Sequence, residues 1–295
     1  MEEKQKTAIK HVTKNSNKYP ERLRSLAGMP EELYYIGRFP EDDKPTAAIV
    51  GVRMCSAYGR IQAFNYAKYL SENGVQVISG MAAGIDAEGH KGALEGGTPT
   101  FAVLGNGVDI CYPASSRSIY RRIPENNGGI ISEYSPGTGG RAYHFPARNR
   151  IISGLSDLVL VVEAKEKSGS LITAACALEQ GKTVYAIPGA VNDALSRGCH
   201  KLIYDGAGIA YSPEVLLDEW GLSVKKETKL SQKTKLGLAT DLDLVYSCLD
   251  LRPKNLDHII RKTGFPPGKT ASILAQLTVM GLVRETGRQH YIRLE

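Results

Sequence analysis

The 295 residues are 42% hydrophobic and carry 37 lysines and arginines against 31 aspartates and glutamates, a formal net charge of +6. That is enough chain for one large α/β domain and a small second one, and the mild basic excess favours a polyanionic partner only weakly. No run of about 18 apolar residues occurs, and the charged opening MEEKQKTAIKHV lacks the apolar stretch of a secretory leader. A membrane span and export are therefore not expected, and a soluble cytoplasmic protein is.

Residues 1–45 read as a short lead-in. From Thr46 short β-rich runs alternate with segments of helical period: TAAIVGV and GRIQAFNYAKYLSENG; VQVISGM and the stretch to Gly96; TFAVLG and SRSIYRRIPENNG. The pattern continues with GIISEY and FPARNRIISGLS, then DLVLVVEA and SLITAACALEQGK, then TVYAIPG. Such alternation predicts parallel strands joined by helices, and the nearly all-apolar runs AAIVGV, TFAVLG and DLVLVVEA predict strands covered on both faces. The fold class is thus α/β, a doubly wound parallel sheet over 46–221. Glycines 51, 80, 84, 105, 107, 169 and 189 fall where the strands should end. In open α/β sheets that rim holds the ligand crevice, so it is a candidate anion site; tight strand-to-helix turns alone would also explain the glycines.

After Trp220 the sequence becomes polar and lysine-rich, and 222–238 reads as a basic linker. Within 239–295, DLDLVYSCLD, NLDHIIRKTG and KTASILAQLTVMG predict three helices. LVRETGRQHYIRL predicts a hairpin turning at Thr286-Gly287-Arg288, completing a small winged-helix domain.

Several familiar signatures fail. Gly181-Lys182-Thr183 and Gly268-Lys269-Thr270 resemble the end of a P-loop, but the required earlier glycine falls on Cys176 and Thr263. Gly105-Asn106-Gly107 starts like a dinucleotide fingerprint whose third glycine would be Ile110. The five cysteines form no C-x-x-C pair and the six histidines have no metal-like spacing, so neither metal nor cofactor is expected.

What remains is donor-rich strand ends. Val50 to Gly59 carries Gly51, Arg53, Ser56 and Tyr58 just before a helix, parts suited to phosphate; Arg53 pairing with a carboxylate and Ser56 capping the helix is the open alternative. Arg141 to Arg150 holds three arginines, three aromatic rings and no acid. Arginine forks hold phosphates and rings stack unpaired bases, so Phe145, Arg148, Asn149 and Arg150 suit a single strand; Arg148 and Arg150 as internal clamps is the competing reading. Ser168, Gly169, Ser170 and Thr173 open a helix after DLVLVVEA and could hold a second phosphate or cap that helix. Gly80 and Gly84 border a similar turn, where Asp86 reads as an organiser of loop backbone.

Taken in order, VGVRMCSAYG (50–59), SGMAAGID (79–86), FAVLGNGVDICYP (101–113), ISEYSPGT (131–138), FPARNRIISGLSD (145–157) and VVEAKEKSGSLITAA (161–175) resemble the DNA-processing protein A (DprA/Smf) family over about residues 19–220. The resemblance implies an extended Rossmann-like fold that binds single-stranded DNA through phosphate pockets, dimerises, and loads the RecA recombinase during natural transformation, without catalytic turnover. Its partners would be single-stranded DNA, RecA, a second copy of the chain and, as a further candidate, single-stranded DNA-binding protein. The family's Gly-Ser-Arg turn corresponds to Gly51-Val52-Arg53, which keeps the arginine and loses the hydroxyl, while F-P-x-R-N-R is intact at 145–150. The N-terminal helical domain of many members is expected to be absent or reduced. Two other functions stay open on the residues: a nucleotide-cleaving phosphoribohydrolase, although Gly137-Thr138-Gly139-Gly140 does not reproduce that group's P-G-G-x-G-T-x-x-E element, and a nucleotide-sensing DNA-binding regulator.

Overall fold

A computed structural model of the chain describes residues 8–222, 240–251 and 253–294. The chain divides into two compact units, with the boundary between residues 223 and 224, so nearly all of the expected linker at 222–238 lies outside the described residues.

The first unit is built on a nine-stranded sheet. Its centre is β3 (Thr46–Val50), flanked on one side by β4 (Gln76–Ser79), β5 (Thr100–Val103) and β6 (Gly129–Ser132), and on the other by β7 (Leu158–Val161), β8 (Thr183–Ala186) and β9 (Gly208–Ile209). All seven run parallel, as the alternating pattern predicts. The lead-in adds two strands that the pattern did not announce. β1 (Lys10–Thr13) pairs antiparallel with β2 (Glu32–Gly37), and β2 pairs antiparallel with β6, so the sheet is mixed at that edge.

Connections step outward from β3 through β4 to β6, then return across the sheet to β7 on the opposite side of β3. The reversal opens a crevice at the carboxyl ends of β3 and β7, the position where open α/β sheets take ligands. β3 is buried along its whole length because both faces are covered. Ala48 and Val50 point into a core shared with α5 (His144–Gly154) and α6 (Gly169–Glu179), while Ala47 and Ile49 face α2 (Ala57–Glu72). Beyond β4, α3 (Ile85–Gly96) and α4 (Arg117–Glu125) cover the sheet with Ala87, Leu94, Ile119 and Ile123.

At the amino ends of the same strands one carboxylate gathers the chain. Asp157 accepts hydrogen bonds from the Thr46 N–H at 2.8 Å, the Thr46 hydroxyl at 3.1 Å and the Trp220 indole N–H at 3.1 Å, and it pairs with Arg22. Arg22 also donates to the carbonyls of Asp42 and Lys44 at 3.0 and 2.8 Å. The lead-in, which holds α1 (Glu21–Arg24), the central strand, and the last turn of the unit, which follows α7 (Arg197–Tyr204) and α8 (Glu214–Leu217), thus meet at one point.

The second unit has α9 (Thr240–Ser247), α10 (Leu256–Thr263) and α11 (Pro267–Val279) against a small antiparallel sheet ordered β10 (Lys254–Asn255), β12 (His290–Arg293), β11 (Val283–Gly287). Val245, Leu249, Ile259, Leu274, Leu277 and Val283 form its core. The side chain of Asn255 accepts from the His258 N–H at 2.8 Å and caps α10, and Gly264 ends that helix at φ +71°. These are the helices and hairpin expected of a winged helix, with β10 added.

Burial of Asp157 works to raise its pKa, but donation from Arg22, Thr46 and Trp220 outweighs it and holds the carboxyl below the usual 3.8. A depressed folded-state pKa stabilises the protein above the unfolded value, and that contribution is lost as the pH falls below it. Asp157→Ala should therefore lower unfolding stability by about 2–3 kcal/mol at pH 7 and by clearly less near pH 3, read from urea denaturation at both values.

Candidate functional site

At the switch point the chain leaves β3 through the turn before α2 and leaves β7 through the turn before α6. A cavity of about 710 Å³ lies between these turns and α5. Gly51 and Arg53 form one wall, Phe145, Arg148 and Asn149 of α5 a second, and Ser168, Gly169, Ser170 and Thr173 a third. Nine of the residues singled out in the sequence are thus brought together.

Arg53 is exposed, with its guanidinium carbon 5.5 Å from the centre of the Phe145 ring. Among the described residues no carboxylate pairs with it and no acceptor engages it. Tyr112, 49% exposed, also lines the cavity, and its ring centre lies 5.5 Å from that of Phe145. At the start of α6 the Ser168 hydroxyl accepts from the Ser170 N–H and bonds the Ser170 hydroxyl at 2.8 Å, which caps the helix and aligns its first N–H groups at the cavity wall.

Lys165 is exposed at the same rim and, among the described residues, has no ion pair. Sequence reasoning missed it and Tyr112 as site residues. Both lie inside segments that carry the family resemblance, VVEAKEKSGSLITAA and FAVLGNGVDICYP, but neither stood out by residue type.

Arg148 lines the cavity yet is only 5% exposed, and its Nη1 and Nε donors are engaged. Nη1 donates to the Gly80 carbonyl at 2.9 Å and to the Val103 carbonyl, and Nε donates to the Asn149 side chain at 3.3 Å. The clamp reading therefore applies to it: the guanidinium ties α5 to the ends of β4 and β5. Burial lowers its pKa to about 10, opposed by the nearby carboxylate of Asp86. Asp86 is pushed upward by burial and held down by Arg148 and by the N–H groups of Ala82 and Gly80, the latter at 3.1 Å. It organises loop backbone, as the sequence suggested. Asn149 bridges the same layer, donating to the Gly169 carbonyl at 3.2 Å.

Five expected contact residues lie outside the cavity, each for a definable reason. Arg150 points away from the rim, donating to the Gly28 carbonyl at 2.8 Å and pairing with Glu133 at 2.5 Å, so it fastens α5 to the lead-in. Ser56 caps α2 by accepting from the Gly59 N–H at 3.0 Å, and its own N–H donates to Glu163 at 3.0 Å. The Tyr58 hydroxyl donates to the Pro188 carbonyl at 3.2 Å. Gly80 sits against Arg148, where an added Cβ would stand 2.6 Å from Nη2. Gly84 has φ +80°, and a Cβ there would meet the carbonyls of Val52 and Arg53. These positions build the rim from behind.

A doubly wound sheet with a basic, ring-lined cleft at its switch point defines a Rossmann-like α/β protein equipped to hold an anion beside a flat ring. The chain belongs to the DNA recombination-mediator protein A family, whose profile matches residues 10–221. It is 43% identical over 202 residues to DNA processing protein DprA of Streptococcus pneumoniae, covering 68% of this chain and 71% of that protein. A crystal structure of the Streptococcus pneumoniae protein superposes with a TM-score of 0.66 at 40% identity, over 72% of this chain and 74% of that one. A structure of DNA processing protein A from Helicobacter pylori, described for its single-stranded DNA binding mode, superposes with a TM-score of 0.65 at 28% identity, over 72% of this chain and 95% of that one.

Removing the buried guanidinium should strand Asp86 without its counter-charge. Arg148→Met is expected to cost about 3–5 kcal/mol of stability, and adding Asp86→Asn should recover part of it, so that a double-mutant cycle in urea gives a coupling above about 1 kcal/mol.

Proposed function

We propose that the chain binds single-stranded DNA along the rim of this cavity with little sequence preference, and acts as a non-catalytic mediator that loads the RecA recombinase onto the bound strand. The observation that carries the reading is the pairing of two cations without a partner among the described residues, Arg53 and Lys165, with the capped start of α6 and the accessible rings of Phe145 and Tyr112. Cations and helix N–H groups take phosphates; rings take base faces, which every nucleotide offers. Duplex DNA hides those faces, so a single strand fits better.

The Helicobacter pylori relative, described for binding single-stranded DNA, supports the same ligand here. Homodimerisation, RecA and single-stranded DNA-binding protein enter as the partners that family membership implies. A phosphoribohydrolase needs a carboxylate free to work on the nucleotide. The carboxylate on this cavity wall is Asp86, already taken by backbone N–H groups beside Arg148. That favours binding over turnover.

Fluorescence anisotropy with labelled single-stranded and duplex oligonucleotides across a salt series tests this. Single strands should bind more tightly, with Arg53→Ala and Lys165→Ala each weakening binding and each reducing the salt slope by about 0.7. Equal affinity for duplex, indifference to both substitutions, or release of free base from a nucleoside monophosphate would overturn the reading.

A further inference from the structure

Tyr112 is the point at which the cavity rim passes into a second basic surface. The loop from Gly105 to Pro113 is fixed in place: Asn106 donates to the Ile110 carbonyl at 2.6 Å, and the Tyr120 hydroxyl of α4 donates to the Val108 carbonyl. From the same side, the Ser116 hydroxyl donates to the Met81 carbonyl at 3.4 Å. The loop and the start of α4 are therefore one rigid piece with the cavity wall.

α4 turns Ile119 and Ile123 into the core and leaves Arg117 and Arg121 exposed. Four residues apart, they share one helix face, with side chains about 5–6 Å apart at Cβ. Neither has an ion pair or a hydrogen bond among the described residues, whereas their neighbour Arg122 pairs with Glu95 at 3.3 Å. Both lie close enough to Cys111, the residue before Tyr112, to pull its thiol pKa down against the larger upward effect of burial. The first turn of α4 carries no acid. Two cations left without an ion pair among the described residues, continuous with the rim through an exposed ring, match a chain of phosphates in charge and spacing.

We infer that a single strand leaving the cavity passes over the Tyr112 ring and lays its next phosphates on the α4 face of Arg117 and Arg121, which lengthens the footprint beyond the cavity. This rests on the single-strand reading of the cavity and adds a direction of travel to it. The occupant is nucleic acid and not an acidic protein because the face is continuous with the rim and sits beside a stacking ring.

The test uses the full chain and two oligothymidylates, a dinucleotide, which the cavity of about 710 Å³ can hold, and one of about fifteen nucleotides that can reach α4. Arg117→Ala combined with Arg121→Ala should weaken the long strand roughly tenfold and reduce its salt slope by about 1.4, while the short strand binds as to wild type. Arg117→Lys with Arg121→Lys should keep most of the long-strand affinity. Both pairs change exposed side chains that no described residue pairs with, so folding should be preserved, as thermal denaturation will verify. Long strands that bind the alanine pair as tightly as wild type, or that gain nothing over short ones, would remove this surface from the footprint and leave the cavity reading intact. Arg53→Ala without effect on the short strand would instead sink the cavity reading itself.

Discussion

The site depends on a buried guanidinium. Arg148 has left water, so its donors need acceptors, and it finds them in the carbonyls of Gly80 and Val103 at the ends of β4 and β5. Meeting that need fixes the start of α5 relative to two strands of the sheet, and with it the Phe145 ring that α5 presents to the cavity. Asp86 supplies the counter-charge and also holds the Gly80 N–H. The field at the rim follows from the same arrangement. Arg53 lies close enough to depress the pKa of Arg148, and among the described residues its own charge is met by no carboxylate, so positive potential persists where the strands end.

A second buried carboxylate plays the matching part across the crevice. Glu163, at the end of β7, accepts from the Ser56 N–H and hydroxyl, and an added Cβ on Gly59 would run into it. Burial pushes its pKa up, against the donation from Ser56. The two turns flanking the switch point are thus joined by one acid, and the starts of α2 and α6 are held on either side of the opening. Rigid placement of this kind lets exposed groups such as Arg53 and Lys165 meet a ligand with little ordering cost.

The central strands were legible because parallel strands covered on both faces are apolar nearly throughout, and AAIV and LVLV are. The lead-in strands were not. KHVT buries only Val12, and ELYYIG is interrupted on both faces by half-exposed residues, so neither has a clear period. In the site, residue type pointed to the right segments but could not divide Arg148 and Arg150 from Arg53. All three are arginines near glycines; what separates them is whether a carbonyl or carboxylate from a distant segment is waiting, and Gly28, Glu133, Gly80 and Val103 are distant in sequence. Lys165 was hidden for the converse reason. In the run Lys165-Glu166-Lys167 the charges look self-compensating, but Glu166 turns to Arg197, and Lys165 is left facing the cavity.

The hub at Asp157 gives the chain a built-in optical signal. Trp220 is the sole tryptophan, and its indole N–H is bonded to Asp157 at the amino ends of the strands whose carboxyl ends form the cavity. Its emission therefore registers whether the first unit is closed on itself, while a ligand at the far end of the sheet leaves the indole's surroundings untouched. Integrity and occupancy can accordingly be followed in one sample, at separate wavelengths, with the dye on the oligonucleotide and none on the protein.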